Sequence, residues 1–573
     1  MTAAVRRLLL LPALALLAGA GLLAPAGAGA AAAPRPEGLE TLLQDDAQLL
    51  HRPVEQVRAS IAQLRELGVD RVRVTANWSV LTRDADAEAR PAFDATDPAA
   101  YEQGRWQNLD EVVRTASEQG LRVMIDIAFW APRWASADRP GQRGRTNIDT
   151  GAYAEFATAL ARRYSGSFVV PVDTEPVAPS EDERLLDELL GGSGGDPEPT
   201  PPAPGSAPLP RVDVYTLWNE PNHTGFLRPQ WVKEGRRYRS RSAEIYRDMV
   251  QRTYPAIKAA SPEARVLIGG TSMSGAYQDR GKGGTPPLRF LRELACVGPR
   301  FHPLRTEACR DYQGLPGDGW SHHPYSLHGT PDWRSYETRP DDLPLAKTPK
   351  LARTLDRLAD GGRIAPALRD IWITEYGYET NPPSKISAFG VEDQARFLAW
   401  SEYVAWRVPS VRTFAQFLLR DLPPGPERVG ASRRRPYGEW YSGLEFPDGR
   451  PKPALEMFRA GLFVRRAKHG RLVVWARLRL GPGPRRVAVE VRRRGASAWE
   501  PLATRAPSGT GFVREVLVDG RGVIDRRARA PRGRGGRRAR YRLRYDDGSG
   551  HVLVSPEVAA TPRESEATRR RRD

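Results

Sequence analysis

Residues 212–222, Val-Asp-Val-Tyr-Thr-Leu-Trp-Asn-Glu-Pro-Asn, carry the strongest structural signal in the chain. The β-branched and aromatic residues at the start predict a short buried strand of the parallel type, and the run ends at a carboxylate, Glu220, among turn-forming residues. Residues 371–377, Ile-Trp-Ile-Thr-Glu-Tyr-Gly, have the same construction and place Glu375 at the end of a second predicted strand. The two runs together predict two carboxylates that face one cleft from a rigid frame.

The sequence around these two runs alternates strand-like and helix-like segments from residue 39 to about residue 462. The predicted strands are Leu39–Asp45, Arg71–Asn77, Leu121–Phe129, Val212–Asn219, Arg265–Thr271, Gly319–Tyr325, Asp370–Tyr376 and Val411–Leu419. The predicted helices are Val54–Leu67, Leu109–Gln119, Tyr153–Tyr164, Ala243–Ala260, Leu351–Asp360, Asp393–Arg407 and Leu455–Leu462.

This alternation predicts an α/β fold, an eightfold β/α (TIM) barrel over residues 34–462. Catalytic residues of such barrels lie at the carboxyl ends of the strands, where Glu220 and Glu375 end the fourth and seventh predicted strands. An open doubly wound sheet is the competing topology, but no Gly-rich phosphate loop follows the first strand to support it.

Two regions depart from the barrel pattern. Residues 172–210 are rich in Pro, Gly, Asp and Glu, which predicts a mostly disordered surface insertion with a short helix at Glu181–Leu190. A tolerated insertion and a substrate lid are both compatible with this composition. After residue 462 the pattern changes to period-two alternation, which predicts a small antiparallel β-sandwich over residues 463–560 with an accessory role. Its predicted strands are Leu472–Leu478, Arg486–Val491, Phe512–Leu517 and Ala539–Tyr545.

The two ends of the chain have distinct compositions. Arg6 and Arg7 precede an Ala/Leu-rich stretch and a small-residue exit, which predicts a secretory signal peptide over residues 1–33 and a secreted, extracellular protein, either free or associated with the cell wall. An uncleaved membrane anchor is the competing interpretation. Residues 561–573 are predicted to form a charged, disordered tail.

The charge balance gives information about partners. The net charge is +18, and half of that excess lies in residues 521–573, which carry 16 Arg against 7 acidic residues. Because no zinc-finger spacing, helix-turn-helix signature or RNA-binding aromatic motif accompanies these arginines, we do not expect nucleic acid as a partner. A solvated surface, or weak binding to an anionic cell envelope or acidic polysaccharide, fits the composition better. The oligomeric state cannot be inferred from the sequence.

The cysteine content is consistent with export. Cys296 and Cys309 are the only two cysteines, and their short separation suits a disulfide that closes one loop in an oxidising compartment. Two buried free thiols are the alternative. His322, His323 and His328 come from one segment and match no zinc spacing, so neither a metal site nor a cofactor is predicted.

Residues 39–462 resemble the clan A glycoside hydrolases, the superfamily that includes the family 5 cellulases and mannanases and the family 39 xylosidases. The most specific element of the resemblance is Trp218-Asn219-Glu220-Pro221, at the place where the clan has its general acid/base after the fourth strand. The resemblance implies that Glu220 is the acid/base and that Glu375 is the nucleophile. It also implies that Asn219 binds the sugar 2-hydroxyl.

Further positions match the clan residue by residue. Arg73 resembles the second-strand arginine that supports the nucleophile, and its cation would keep Glu375 ionised. His323 and Tyr325 resemble a sixth-strand His-x-Tyr, in which the tyrosine hydroxyl reaches the nucleophile and the histidine reaches the substrate or the acid/base. Trp130, together with the nearby Trp134, either stacks on a sugar face or packs in the core.

The eighth strand departs from the clan pattern. It lacks the tryptophan that many family 5 members use as a sugar platform, and this weakens an assignment as a cellulase. Trp440, in the loop that follows, is a candidate substitute.

We therefore predict a secreted retaining glycoside hydrolase that acts on an oligo- or polysaccharide through two glutamates about 5–5.5 Å apart. The resemblance implies that the linkage is β. Two other interpretations remain open. One is a non-catalytic carbohydrate-binding protein of the cell surface. The other is an Arg-rich adhesin, for which deletion of residues 463–573 would abolish wall association and leave hydrolysis intact.

Overall fold

The structure is a computed structural model, and it describes residues 38–140, 142, 144–171, 179–190, 207–276, 282–327, 329–385, 387–423, 440–506, 508, 511–533, 536 and 538–562. The predicted signal peptide, most of the predicted insertion, His328 and nearly all of the charged tail lie outside the described residues. Within these ranges no helix has the length and apolar character needed to cross a bilayer.

Eight parallel strands form a closed barrel in which each strand pairs with its neighbours in the sequence and the eighth pairs with the first. In chain order they are Glu40–Gln44, Arg71–Asn77, Arg122–Ala128, Val214–Leu217, Arg265–Ser272, Gly319–His323, Ile371–Ile373 and Val411–Phe417. The predicted fold class is confirmed, and each predicted strand overlaps an observed one. The doubly wound alternative is wrong.

The fourth, sixth, seventh and eighth strands end two or three residues earlier than predicted. In the fourth, the backbone of Trp218 and Glu220 adopts positive φ angles of 57° and 39°, which a β-ladder does not accommodate. Glu220 and Glu375 therefore lie in the loops just beyond the strands, at the carboxyl end of the barrel.

The helices surround the barrel in the expected order. The longer ones are Val54–Glu66, Gln107–Glu118, Thr150–Arg163, Arg241–Ala260, Pro287–Leu294, Thr348–Asp360, Val391–Trp406 and Pro453–Arg459. The sequence reading missed the helix Pro287–Leu294, whose eight residues give too short a periodic pattern, and a hairpin formed by Trp231–Glu234 and Arg237–Ser240.

The prediction of a helix over Leu455–Leu462 is wrong in its bounds. The helix starts two residues earlier, at Pro453, whose fixed φ suits the first helical turn. It ends at Arg459 because Ala460 already belongs to the next strand.

The C-terminal region forms antiparallel sheets. One has five strands, Ala460–Arg466, Arg471–Leu478, Val523–Arg529, Thr504–Arg505 and Phe512–Val513. The other contains Glu500–Pro501, Pro484–Arg492, Arg540–Asp546, Val552–Val554, Val516–Asp519 and Val558–Ala559. The single strand predicted over Phe512–Leu517 is wrong, because Phe512–Val513 and Val516–Asp519 pair in different sheets.

The C-terminal sheets pack on the helix that follows the seventh strand. The ring of Trp475 lies 6.0 Å from Tyr403 and 6.1 Å from Trp406. The buried guanidinium of Arg479 donates to Glu402 Oε1 at 2.7 Å and to Thr41 Oγ1 at 2.9 Å. Barrel and sheets therefore share a continuous core.

Cys296 and Cys309 form a disulfide with Cα atoms 5.6 Å apart. The bond closes a loop between the helix Pro287–Leu294 and the sixth strand. The predicted pairing is confirmed, and the free-thiol alternative is wrong.

Candidate active site

The interior of the barrel changes from apolar to polar toward the carboxyl ends of the strands. A buried apolar layer across it consists of Leu42, Met124, Val214, Leu267, Trp372 and Ala415. Because strand side chains repeat with a period of two, the residues two positions further along face the same way. On the first, third and fourth strands these residues are Gln44, Asp126 and Thr216, so a polar floor lies above the apolar layer.

Glu375 is held on this floor by two groups. Arg73 Nη1 donates to Glu375 Oε1 at 2.7 Å, and the Tyr325 hydroxyl donates to Oε2 at 3.2 Å. The other guanidinium nitrogen of Arg73, Nη2, lies 2.9 Å from Asp126 Oδ2, and Gln44 also accepts from Arg73. A buried arginine with these partners fixes the position of the Glu375 carboxylate.

Glu220 reaches the same point from the loop after the fourth strand. Its backbone N–H donates to the carbonyl of Gly270 at 3.0 Å. A Cβ atom at position 270 would lie only 3.1 Å from the carbonyl oxygen of Trp218. Because glycine has no Cβ, the loop that carries Glu220 can lie this close to the fifth strand. Asn222 contributes to the loop by accepting from the Ser272 N–H at 2.8 Å. Backbone held in a sparsely populated conformation by its surroundings is typical of a functional site.

The two carboxylates meet across His323. Its Nδ1 lies 3.2 Å from Glu220 Oε1 and 3.5 Å from Glu375 Oε2. One side-chain atom from each of Glu220, His323 and Glu375 lies within 4.8 Å of the other two. An oxygen of one glutamate is therefore closer to an oxygen of the other than the carboxyl groups of inverting glycosidases are, roughly 6.5–9.5 Å apart.

The surroundings of the two glutamates differ in charge. Burial raises the pKa of Glu220, and its direct partner, His323, only partly opposes this. Burial also lowers the pKa of His323 to about 4, so this imidazole is neutral near pH 7. For Glu375, burial raises the pKa while the Arg73 cation and the Tyr325 hydroxyl lower it.

These differences indicate which glutamate keeps its proton. Glu375 has a cation at 2.7 Å, whereas Glu220 has a neutral imidazole and a neighbouring carboxylate. Arg73 is already shared between Asp126 and Glu375, so a further negative charge on Glu220 would have no cation of its own. The Arg73 cation therefore favours the ionised form of Glu375, whereas the surroundings of Glu220 favour its protonated form.

Glu220, His323 and Glu375 are close enough to hold a cation together. Arg73 already places a positive charge against Glu375 at 2.7 Å, which reduces the attraction of this cluster for a metal ion. His323 Nδ1 is also already in contact with Glu220.

The remaining predicted site residues lie in or near the cleft. Asn219 is 6% exposed, and its Oδ1 has no hydrogen-bond partner among the described residues. Trp130 is 3% exposed and packs edge-on against Phe129 at 5.1 Å, whereas Trp134 packs against Trp78. Trp130 and Trp134 thus both pack against other aromatic rings, and the stacking of either ring on a sugar stays a prediction.

Aromatic side chains line the cleft beside Glu375. The ring of Trp440 lies 5.7 Å from Tyr325, and Phe417 packs edge-on against both. Trp333 belongs to the same buried cluster as Tyr325. Trp440 thus lies against Phe417, at the end of the eighth strand.

Sequence reasoning missed part of the Arg73 environment. Asp126 contacts Arg73 and accepts from Thr216 inside the barrel. The signal was present in the sequence, since Asp126 is the one charged residue of the buried strand segment Met124–Ala128. Nothing in the sequence around Gln44 indicated its hydrogen bond with Arg73.

No protein-family model matches the chain, and none of the curated proteins matches it. The solved structures that resemble it include a family 39 glycoside hydrolase from Bacteroides cellulosilyticus, 15% identical, covering 86% of this chain and 81% of that one with a TM-score of 0.46. A glucosidase from Croceicoccus marinus is 12% identical, with coverages of 87% and 96% and a TM-score of 0.44. GH5_18 from Streptomyces cattleya is 16% identical, with coverages of 74% and 79% and a TM-score of 0.37. We draw no conclusion from likenesses at these values.

Proposed function

We propose that the protein is a retaining glycoside hydrolase of the clan A type in which Glu375 is the nucleophile and Glu220 the general acid/base. The observation that carries this proposal is the pair of glutamates at the ends of the fourth and seventh strands. One oxygen of each carboxylate lies within 4.8 Å of the other, and among the described residues Glu375 alone of the two is ion-paired with an arginine. This separation leaves no room for a water between carboxylate and sugar, as inversion requires, and matches double displacement.

In the first step, the Glu375 carboxylate attacks the anomeric carbon while Glu220 donates its proton to the departing glycosidic oxygen. Arg73 and Tyr325 hold Glu375 in position for attack. In the second step, Glu220, now ionised, takes a proton from water, which displaces Glu375 and regenerates both groups. His323 Nδ1, 3.2 Å from Glu220 Oε1, holds the Glu220 carboxyl in position.

Asn219 has a suitable position for binding the reacting sugar. Its buried side-chain oxygen lacks a hydrogen-bond partner in the described structure, and such a group is costly to leave unsatisfied. A sugar hydroxyl next to the glycosidic bond would satisfy it. We expect a β-linked glycan, on the basis of the motif resemblance.

The test is hydrolysis of a panel of aryl β-glycosides and β-glycans by the purified protein and by Glu220→Gln and Glu375→Gln. We expect Glu375→Gln to be inactive on every substrate. Glu220→Gln should lose roughly 10²–10⁴-fold on natural glycosides, but much less on dinitrophenyl glycosides, whose leaving group needs no proton. Glu118→Gln, which changes an exposed carboxylate at a helix end, is the matched control.

Product stereochemistry provides an independent check. Proton NMR of the first product should show retention of anomeric configuration, and azide should restore activity to Glu220→Gln as a glycosyl azide forms. An inverted product, or full activity of Glu375→Gln, would refute the mechanism. Glycan binding without turnover on the whole panel would instead support the carbohydrate-binding interpretation.

We also propose that the protein is exported and that residues 1–33 are removed. The pattern of the N-terminal sequence and the Cys296–Cys309 disulfide support this. Mass spectrometry of the protein recovered from culture medium should place the mature N-terminus between residues 31 and 34. A cell-associated chain that begins at Met1 would contradict export. Weak binding of the Arg-rich C-terminal region to an anionic envelope should disappear at high salt.

A further inference from the structure

The helix Glu181–Leu190, named here the insertion helix, lies in the segment that was expected to be mostly disordered. Its start has a local cause, because Ser180 and Glu183 form a capping box. Ser180 Oγ accepts from the Glu183 N–H at 3.2 Å, and the Glu183 carboxylate accepts from the Ser180 N–H at 3.3 Å. This arrangement satisfies two backbone donors at the N-terminus of the helix.

The first turns of the insertion helix contact the active-site end of the barrel. Asp182 accepts from the hydroxyl of Ser79 at 2.6 Å, and Ser79 follows the second strand directly. Asp187 lies 2.6 Å from His51 Nδ1, in the segment after the first strand. Glu183 lies 3.4 Å from Arg105. Asp182, Glu183 and Asp187 of the insertion helix therefore each contact a polar side chain of the barrel region.

The last turn of the insertion helix packs beside the cleft. Leu190 packs against a buried cluster of Ala47, Leu418 and Leu422, and its carbonyl accepts from Arg52 at 3.2 Å. Trp440 packs against the same cluster and also against Tyr325, which donates to Glu375. The insertion helix is therefore connected to Glu375 through this cluster, Trp440 and Tyr325.

These contacts place the insertion helix over the ends of the eighth, first and second strands. In the closed barrel the eighth and first strands lie nearer to the seventh strand, which leads to Glu375, than to the fourth, which leads to Glu220, whereas the second strand lies one place nearer to the fourth. The sugar that reacts with the nucleophile is the glycone, and the acid contacts the departing oxygen on the aglycone side. The C-terminal part of the insertion helix, which contacts the loops after the eighth and first strands, is therefore on the glycone side.

We propose that the insertion helix closes the glycone end of the cleft, so that the enzyme removes sugars from the non-reducing ends of chains and does not cut internally. The proposal rests on the function proposed above and adds the substrate class, chain ends. An α-helix of ten residues spans about 15 Å, enough to cover the ends of three adjacent strands roughly 4.8 Å apart.

The experiment uses β-1,4-linked hexaoses of glucose, mannose and xylose, with the terminal 4-hydroxyl of the non-reducing end either free or methylated. The wild-type protein should release a monosaccharide and a pentaose from the free hexaose. It should cleave the methylated one roughly 10- to 200-fold more slowly, because the pocket has no room for the added group. Early internal products from either hexaose would overturn the proposal.

Two variants connect this selectivity to the helix. Replacement of residues 179–190 by a Gly/Ser segment of equal length should raise the methylated-to-free rate ratio at least about tenfold and generate internal products. Leu190→Asp, which disturbs only the apolar contact, should shift the ratio in the same direction. Arg184→Ala, an exposed position on the same helix, is the control and should keep the wild-type ratio.

The outcomes separate the two proposals. Wild-type protein that cleaves aryl glycosides but also cuts the hexaoses internally refutes the chain-end inference and leaves the glycosidase proposal standing. An unchanged ratio in both helix variants refutes the role of the insertion helix. Absence of turnover on every substrate, aryl glycosides included, refutes both proposals.

Discussion

The contact between Arg73 and Glu375 offers the sharpest test of the charge arrangement in the cleft. Replacing Arg73 with Met removes the cation 2.7 Å from Glu375 Oε1 and leaves Asp126 without its ion pair. A hydrogen bond to a charged group is worth about 1.5–3 kcal/mol, so kcat/KM at neutral pH should fall roughly 10- to 150-fold.

The pH dependence gives a second measure of the same contact. Activity should rise with pH as Glu375 loses its proton and fall as Glu220 loses its own, which produces a bell-shaped profile. Because the Arg73 cation lowers the pKa of Glu375, its removal should move the acidic limb to higher pH. The assay is kcat/KM against pH on an aryl glycoside, with thermal unfolding to confirm that each variant is folded.

Two further variants make this test specific. Arg73→Lys keeps the charge but cannot bridge Asp126 and Glu375 in the same way, so its loss should be intermediate. Tyr325→Phe removes a neutral donor 3.2 Å from Glu375 and should cost only about 1 kcal/mol, or roughly fivefold. A folded, active Arg73→Met protein whose acidic limb is unchanged would refute the reasoning.

Four other measurements follow from the structure. Dialysis against EDTA should leave hydrolysis unchanged, and activity that is lost and then restored by a divalent cation would show that Glu220 and Glu375 work through a metal. Asn219→Ala should reduce kcat/KM on a glycoside that has its 2-hydroxyl more than on the 2-deoxy analogue, and equal losses would contradict sugar contact. Replacing both Cys296 and Cys309 with Ala opens a 13-residue loop and should lower the free energy of unfolding by about 3 kcal/mol in denaturant titration, whereas an unchanged value would show that the bond is not stabilising. Arg479→Met removes the closer of the two arginines that contact the buried Glu402, the other being Arg477 at 3.8 Å, and should cost about 3 kcal/mol, with Arg494→Met as an exposed control that should leave stability unchanged.

The barrel could be predicted from the sequence because its signals are local. Each strand is a short apolar run, and each of Glu220 and Glu375 follows such a run directly, so the topology alone brings their loops to one end. The fourth strand was predicted to extend too far because its end is set by the positive φ angles at Trp218 and Glu220. These angles depend on the contact of the loop with Gly270 of the fifth strand. That approach is a tertiary effect with no local sequence signal.

The sequence revealed less where a residue's role depends on distant partners. The insertion helix was predicted over the correct residues because its capping box is local, but its position over the barrel depends on His51, Ser79 and Leu418, far away in the chain. The break between Phe512–Val513 and Val516–Asp519 was missed for the same reason, since the alternation continues across it while the pairing partners change.

The shared core of barrel and C-terminal sheets changes how the accessory region can be studied. Trp475 and Arg479 contact the helix that follows the strand leading to Glu375, so removing residues 463–573 would expose its aromatic side chains to water. The deletion that the adhesin interpretation calls for would therefore disturb the catalytic half as well. We expect one cooperative calorimetric transition for the intact protein, and single substitutions of surface arginines are the better probe of envelope binding.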